Sequence, residues 1–183
     1  QTLRIATAQL NPIVGDIAGN LQRARDVRAR AGAGGADLVV FSELAICGYY
    51  PHDFLERRDF IEAAEGAMRD IATHCTDISA IIGGPSQNPG ENGKMLFNSA
   101  WFLSEGEVKS LHHKTLLPTY DIFDEYRHFE PNQTFNTIEV KGQRIAITIC
   151  EDLWFEQPVM SVYGRKKLYS VSPMEELCKQ NPD

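Results

Sequence analysis

Apolar, β-branched runs that stop on a reactive residue constrain this chain more than any other feature. Arg144 to Ile149 (RIAITI) ends on Cys150, and the acidic pair Glu151-Asp152 and then Leu153-Trp154 follow at once. A run of this kind reads as a buried strand, so the thiol is expected where a central strand leaves a sheet. Asp37 to Phe41 (DLVVF) runs out into Ser42-Glu43, and Glu107 to His113 runs out into Lys114. In open α/β proteins the chemistry gathers at the carboxyl ends of strands. A carboxylate, an ammonium and a thiol, each at a strand end, are therefore candidates for one site.

The intervening sequence supplies the rest of a layered fold. Leu3 to Leu10 alternates as a strand, with Leu3, Ile5 and Ala8 expected toward a core. Leu21, Ala24, Val27 and Ala31 fall at helical steps within a helix predicted from Asn20 to Ala31, which Gly32-Ala33-Gly34-Gly35 stops. Phe60, Ala63, Ala64, Ala67, Met68 and Ile71 form a second helical stripe. Ile78 to Ile82 is a short strand expected to end at Gly83-Gly84-Pro85, with a loop over Ser86 to Lys94. Two hairpins follow, one turning at Ser104-Glu105-Gly106 and one, from Thr134 to Cys150, at Lys141-Gly142-Gln143. The order β-α-β-α-β followed by hairpins predicts an α/β sheet with mixed pairing. Beyond Val159 the periodicity fades and the sequence places no element.

Composition excludes several classes. Hydrophobic residues make up 43% and charged residues 23%, an ordinary globular balance that argues against disorder and coiled coil. The net charge is −7, and the only basic cluster is Arg165-Lys166-Lys167, so neither nucleic acid nor an anionic membrane is expected as a partner. No apolar stretch approaches the roughly 20 residues of a membrane helix, and no signal peptide is legible. Cys47, Cys75, Cys150 and Cys178 form no zinc spacing, and the adjacent His112 and His113 point to opposite faces of a strand, so no metal is expected. Free thiols suit a reducing compartment, which makes the cytoplasm the expected location. The G-x-x-x-x-G-K phosphate loop is absent from the sequence, so no ATP site is read in it.

A thiol attacks a carbonyl as thiolate, and it needs a base or a cation to become one. Glu43 is the candidate base, Lys114 the candidate partner of thiolate and oxyanion, and the N–H of Glu151 a candidate oxyanion donor. Taken singly, each residue has a plainer reading. Cys150 suits a buried structural thiol, Glu43 a turn cap and Lys114 a loop cation.

Taken in order, the segments Phe41-Ser42-Glu43-Leu44 with Gly48-Tyr49, His113-Lys114-Thr115-Leu116-Leu117-Pro118 and Ile149-Cys150-Glu151-Asp152-Leu153-Trp154 resemble the Glu-Lys-Cys signatures of the nitrilase, or carbon–nitrogen hydrolase, superfamily. Ala6 to Asp16, with Gly19-Asn20, is similar to that family's first strand and loop. Gly48 to Asp53, Tyr120 to Phe129 and Cys150 to Trp154 resemble, within it, the glutaminase domain of glutamine-dependent NAD+ synthetases. The resemblance covers about residues 3–158. It implies a four-layer α-β-β-α sandwich with Cys150 as nucleophile, Glu43 as general base and Lys114 as the cation beside the oxyanion. It further implies that Glu125 orients the lysine and the attacking water, that Tyr49 and Tyr120 line a glutamine pocket, and that Glu151 meets the substrate amine.

The resemblance also implies hydrolysis of L-glutamine without metal or cofactor. Ammonia would then go to a synthetase domain that uses ATP, Mg and deamido-NAD+ and is absent from this chain; a homo-oligomer is expected. Residues 1–158 are thus expected to form a partial glutaminase domain and 159–183 an atypical tail. In that tail Leu168 to Pro173 is only a compressed echo of the family's later strand, so Ser172 is not assigned to the substrate. Two rivals remain at this point, a free-standing aliphatic amidase or nitrilase and a non-catalytic fragment.

Overall fold

A computed structural model describes residues 2–155 and 168–183. The expected boundary at 158/159 and the basic cluster at 165–167 lie outside the described residues. Seven strands and three α-helices are described. They are β1 (Ile5–Ala8), α1 (Ile17–Ala33), β2 (Leu38–Phe41), α2 (Arg58–His74), β3 (Ser79–Gln87), β4 (Leu96–Ser104), β5 (Glu107–His113), β6 (Thr137–Val140), β7 (Gln143–Ala146) and α3 (Pro173–Cys178).

Strands β1 to β5 form one sheet in sequence order. β1, β2 and β3 run parallel, and β4 and β5 are antiparallel additions, which is the mixed pairing the element order predicts. Side chains alternate across this sheet. Val39, Phe41, Ile82, Trp101 and Leu103 pack with Ala64, Met68 and Ile71 of α2 and with Ala24 of α1. Leu38, Ile81, Ala100 and Phe102 point the other way and pack with Ile138, Val140 and Ile149. The described residues thus build helices, sheet and hairpin in successive layers, a nitrilase-like α/β arrangement.

Local chemistry explains the elements. Asp16 caps α1, its Oδ1 accepting from Gly19 N at 2.9 Å. The hairpins turn at Glu105-Gly106 and Lys141-Gly142, where both central residues have positive φ, the two-residue turn whose twist matches paired strands. In α2 the stripe is buried as predicted except that Ala63 is exposed, while Ile61 and Ala72 join the core.

Four expectations are corrected. β3 does not stop at Gly83-Gly84-Pro85 but continues to Gln87, paired with β4. The glycines are there for close approach: a Cβ on Gly83 would collide with the backbone of Ser42 and Leu44, and one on Gly84 with Met68 and Ile46. Ile5 is not core but 51% exposed, because alternation gives Ala6 and Ala8 to the helical face and Ile5 to the face that the hairpin only partly covers. The Cys150 run is not a central strand. β7 ends at Ala146, pairs only with β6, and of Ile145 to Cys150 only Ile149 is buried. Finally, the last segment holds a helix, α3, with Ser172 as its N-cap accepting from Glu175 N at 3.3 Å.

Candidate active site

Glu43 follows β2 on a turn that lies directly on β3, which Gly83 permits; Ile46 N donates to Gly83 O at 3.1 Å and anchors that turn. Lys114 follows β5, and its N–H continues the ladder to Asn98 O at 2.8 Å. Both side chains meet. Lys114 Nζ lies 2.6 Å from Glu43 Oε1 and 2.8 Å from Glu125 Oε1, and Lys114 and Glu125 are both 0% exposed. Asn98, on β4, bridges the two carboxylates, its Nδ2 donating to Glu43 Oε1 at 2.7 Å and to Glu125 Oε2 at 3.2 Å. Tyr49 OH donates to Glu125 Oε1 at 2.8 Å.

Burial alone would lower the Lys114 pKa, but the charges of Glu43 and Glu125 outweigh it and the net shift is upward. Glu125 is raised chiefly by burial; Lys114 opposes the rise and the neighbouring Glu43 adds to it. Burial beside a second carboxylate therefore favours the protonated form of Glu125 relative to an ordinary carboxyl group. Asn98 carries no charge and belongs to no motif, so nothing in the sequence pattern points to its place here.

Cys150 reaches this group from a different support. It opens a short 3₁₀ turn, Cys150–Leu153, with its own φ at +46°, the left-handed region that strains a side chain with a Cβ. A cavity of about 270 Å³ between the sheet and the hairpin is lined by Glu43, Gly83, Ser99, Ile149 and Cys150. Burial, then the Glu43 charge and hydrogen bond, push the Cys150 thiol up to about 11, with Lys114 pulling the other way. All four cysteines are free thiols, and Cys47, fully buried, is pushed by desolvation to about 12.

Asp152 ties the two supports together. Its Oδ1 accepts from Thr115 N at 3.0 Å and Leu116 N at 2.9 Å, and its Oδ2 from Ile149 N at 3.0 Å. The donors are the residues just after Lys114 and just before Cys150. Burial raises the Asp152 carboxyl to about 6, and these backbone bonds oppose the rise. The sequence motif contained Asp152 but suggested no task for it.

Glu151 is 6% exposed. Tyr120 OH lies 2.9 Å from both its carboxylate oxygens, and Tyr169 OH donates to Oε1 at 3.0 Å. The Tyr120 ring meets Phe123 edge-on at 5.7 Å, and Tyr49 lies 6.3 Å from the same phenylalanine. Tyr120 is raised to about 12 by burial first, then by its bond to Glu151 and by the nearby charges of Glu151 and Cys150. Tyr49, Tyr120, Glu125 and Glu151, the four additional residues picked from the sequence, thus stand around the Glu43, Lys114 and Cys150 group. Phe123 and Tyr169 join them, each from a segment the resemblance touches but with no role assigned there.

Among the described residues the remaining cluster of metal-ligand type is Asp53, Glu56 and His128. Arg127 already pairs with Asp53 at 3.3 Å and Glu56 at 2.8 Å, so those carboxylates already share a cationic partner. No helix among the described residues is long and apolar enough to cross a membrane.

The sequence model of the carbon-nitrogen hydrolase family matches residues 4–168. The glutamine-dependent NAD(+) synthetase of Synechocystis sp. is 39% identical over 180 residues, covering 96% of this chain and 32% of that protein. The glutamine-dependent NAD(+) synthetase of Thermotoga maritima is 33% identical over 83% of this chain and 26% of its own length. The chain thus spans about a third or less of the curated relatives it matches. The solved glutamine-dependent NAD+ synthetase of Acinetobacter baumannii superposes with a TM-score of 0.83 at 29% identity, over 99% of this chain and 31% of that one. An amidase from Nesterenkonia sp., 26% identical over 84% of this chain and 57% of its own, superposes at 0.71; that structure carries the acetamide moiety of fluoroacetamide on its active-site cysteine.

Proposed function

Because this chain belongs to the carbon–nitrogen hydrolase family, we propose that it is the amide-hydrolysing part of a glutamine-dependent NAD+ synthetase, and that its substrate is L-glutamine. The observation that carries the reading is the grouping of Glu43, Lys114, Glu125 and Cys150, with the buried Glu151 side chain on the next residue.

A thiol held near pKa 11 is protonated at neutral pH, so attack has to be coupled to removal of its proton. Glu43 takes that proton as Sγ bonds to the amide carbon. The carbonyl oxygen becomes an oxyanion, and Lys114 with the backbone N–H after the nucleophile stabilises it. Glu43 returns the proton to the nitrogen, the C–N bond breaks and ammonia leaves. Water, deprotonated by Glu43 and oriented by Glu125, then cleaves the thioester to glutamate and frees the thiol. Every step is proton transfer or acyl transfer between side chain and substrate, so no metal or cofactor enters it. Ammonia would be consumed by a synthetase domain outside this chain, where ATP, Mg and deamido-NAD+ belong.

The test is glutamine hydrolysis by this chain, alone and within a full-length synthetase, against its Cys150→Ala variant. Loss of glutamine-driven but not ammonia-driven NAD+ synthesis is expected of the variant in the full-length protein. Substantial glutamine hydrolysis by Cys150→Ala would refute the nucleophile assignment. The superposition on the Nesterenkonia amidase supports one second reading, a hydrolase of plain aliphatic amides. Turnover of propionamide at rates matching glutamine would favour it.

A further inference from the structure

Among the described residues, Glu151 is a buried carboxylate held by neutral donors. Among the described residues no lysine, arginine or histidine forms an ion pair with it, whereas Glu43 and Glu125 share Lys114. Of the described residues, two phenols, Tyr120 and Tyr169, donate to it. A phenol fixes the orientation of a carboxylate without cancelling its charge, whereas an arginine would cancel it. Among the described residues, three carboxyl groups beside the thiol (Glu43, Glu125 and Glu151) stand against one ammonium, Lys114. That surplus favours a positive group on whatever ligand enters, because a buried charge left unpaired is expensive.

Resting on the glutaminase reading above, we propose that Tyr169 is a specificity-determining residue: with Tyr120 it holds the Glu151 carboxylate for the α-ammonium of an amino-acid amide, and so selects such amides over plain ones. The two phenols come from separate segments. Tyr120 follows the Lys114 strand end, and Tyr169 arrives from the segment before α3, which the sequence left unplaced. A carboxylate has about four acceptor positions. Tyr169 engages Oε1 while Tyr120 spans both oxygens, which leaves acceptor capacity for a ligand donor and denies the carboxylate its freedom to turn.

The test reads the thiol directly and needs no turnover. The intact chain is alkylated at Cys150 by two electrophiles, a chloromethyl ketone analogue of glutamine that keeps the α-amino group and iodoacetamide, which has none. The readout is the ratio of their second-order rate constants. Wild type is expected to favour the glutamine analogue. Tyr169→Phe should lower the ratio about tenfold, the effect of losing one hydrogen bond to a charged group, and Glu151→Gln should abolish the preference. An unchanged or higher ratio in Tyr169→Phe overturns the proposal, as does an equal loss of rate with both electrophiles. If Glu151→Gln still collapses the ratio in that event, only the role of Tyr169 falls. If it does not, the assignment of Glu151 to the substrate amine falls with it.

Discussion

The two halves of the candidate site are held by different physics. Glu43, Asn98 and Lys114 stand on or directly beyond strands of the five-stranded sheet, and Glu125 locks onto them by an ion pair wholly out of solvent. Cys150 stands beyond a two-stranded hairpin, on a left-handed residue of a short turn, exposed and unsupported by any sheet ladder. The first half derives its precision from the sheet. The second derives it from a single carboxylate, Asp152, that gathers backbone donors from both. Under the proposed reading the thiol has to be reached by substrate, which its exposed support allows, while Lys114 and Glu125 beside it are kept dry.

Three perturbations probe that contrast, in order of expected size. Lys114→Ala leaves Glu43 and Glu125 facing each other with no cation, and breaking a buried pair in this way costs about 3–5 kcal/mol. Urea denaturation should show it, and a change below about 1 kcal/mol would mean the pair is better hydrated than its burial indicates. Asp152→Ala leaves three buried N–H groups without an acceptor, with a loss on the order of 2–4 kcal/mol. Hydrogen exchange sharpens this one. Protection should drop at Thr115, Leu116 and Ile149 while β3 and β4 stay protected, and uniform loss across the sheet would show that the halves are not separately held.

The smallest effect is also the one of least obvious sign. Glu43→Gln removes the charge that helps raise the Cys150 pKa, so plain iodoacetamide should label the thiol several-fold faster at pH 8 even as glutamine hydrolysis is lost. In the unaltered chain that labelling should climb about tenfold per pH unit toward a plateau near 11, because only the thiolate reacts. Slower labelling in Glu43→Gln would mean the carboxylate assists the thiolate more than it repels it.

Much of the sheet-borne half was legible beforehand. Leu38 to Phe41 and Glu107 to His113 carry patterns strong enough to fix a strand and hence to fix what comes next, Glu43 and Lys114. The helical stripes at Ala24 and at Phe60 to Ile71 likewise named the residues that cover one face. The thiol-bearing half was misread in its support. Ile145 to Ile149 has the composition of a central strand, yet it is mostly partly buried, starting in the hairpin strand β7 and running past its end, since composition reports affinity for a sheet and not a place within one.

The sequence by itself determined the alternation of strand and helix, the places of Glu43 and Lys114 just beyond their strands and, through ordered motifs, the family. Those are properties of local patterns a few residues long. Only the tertiary structure decided that Asn98 bridges Glu43 and Glu125, that Gly83 is small so the Glu43 turn can lie on β3, that Asp152 joins the Lys114 and Cys150 segments, and that Tyr169 meets Glu151. Each of those facts is a contact between segments remote in sequence. Such contacts follow from how layers pack, and no periodicity within a single segment encodes them.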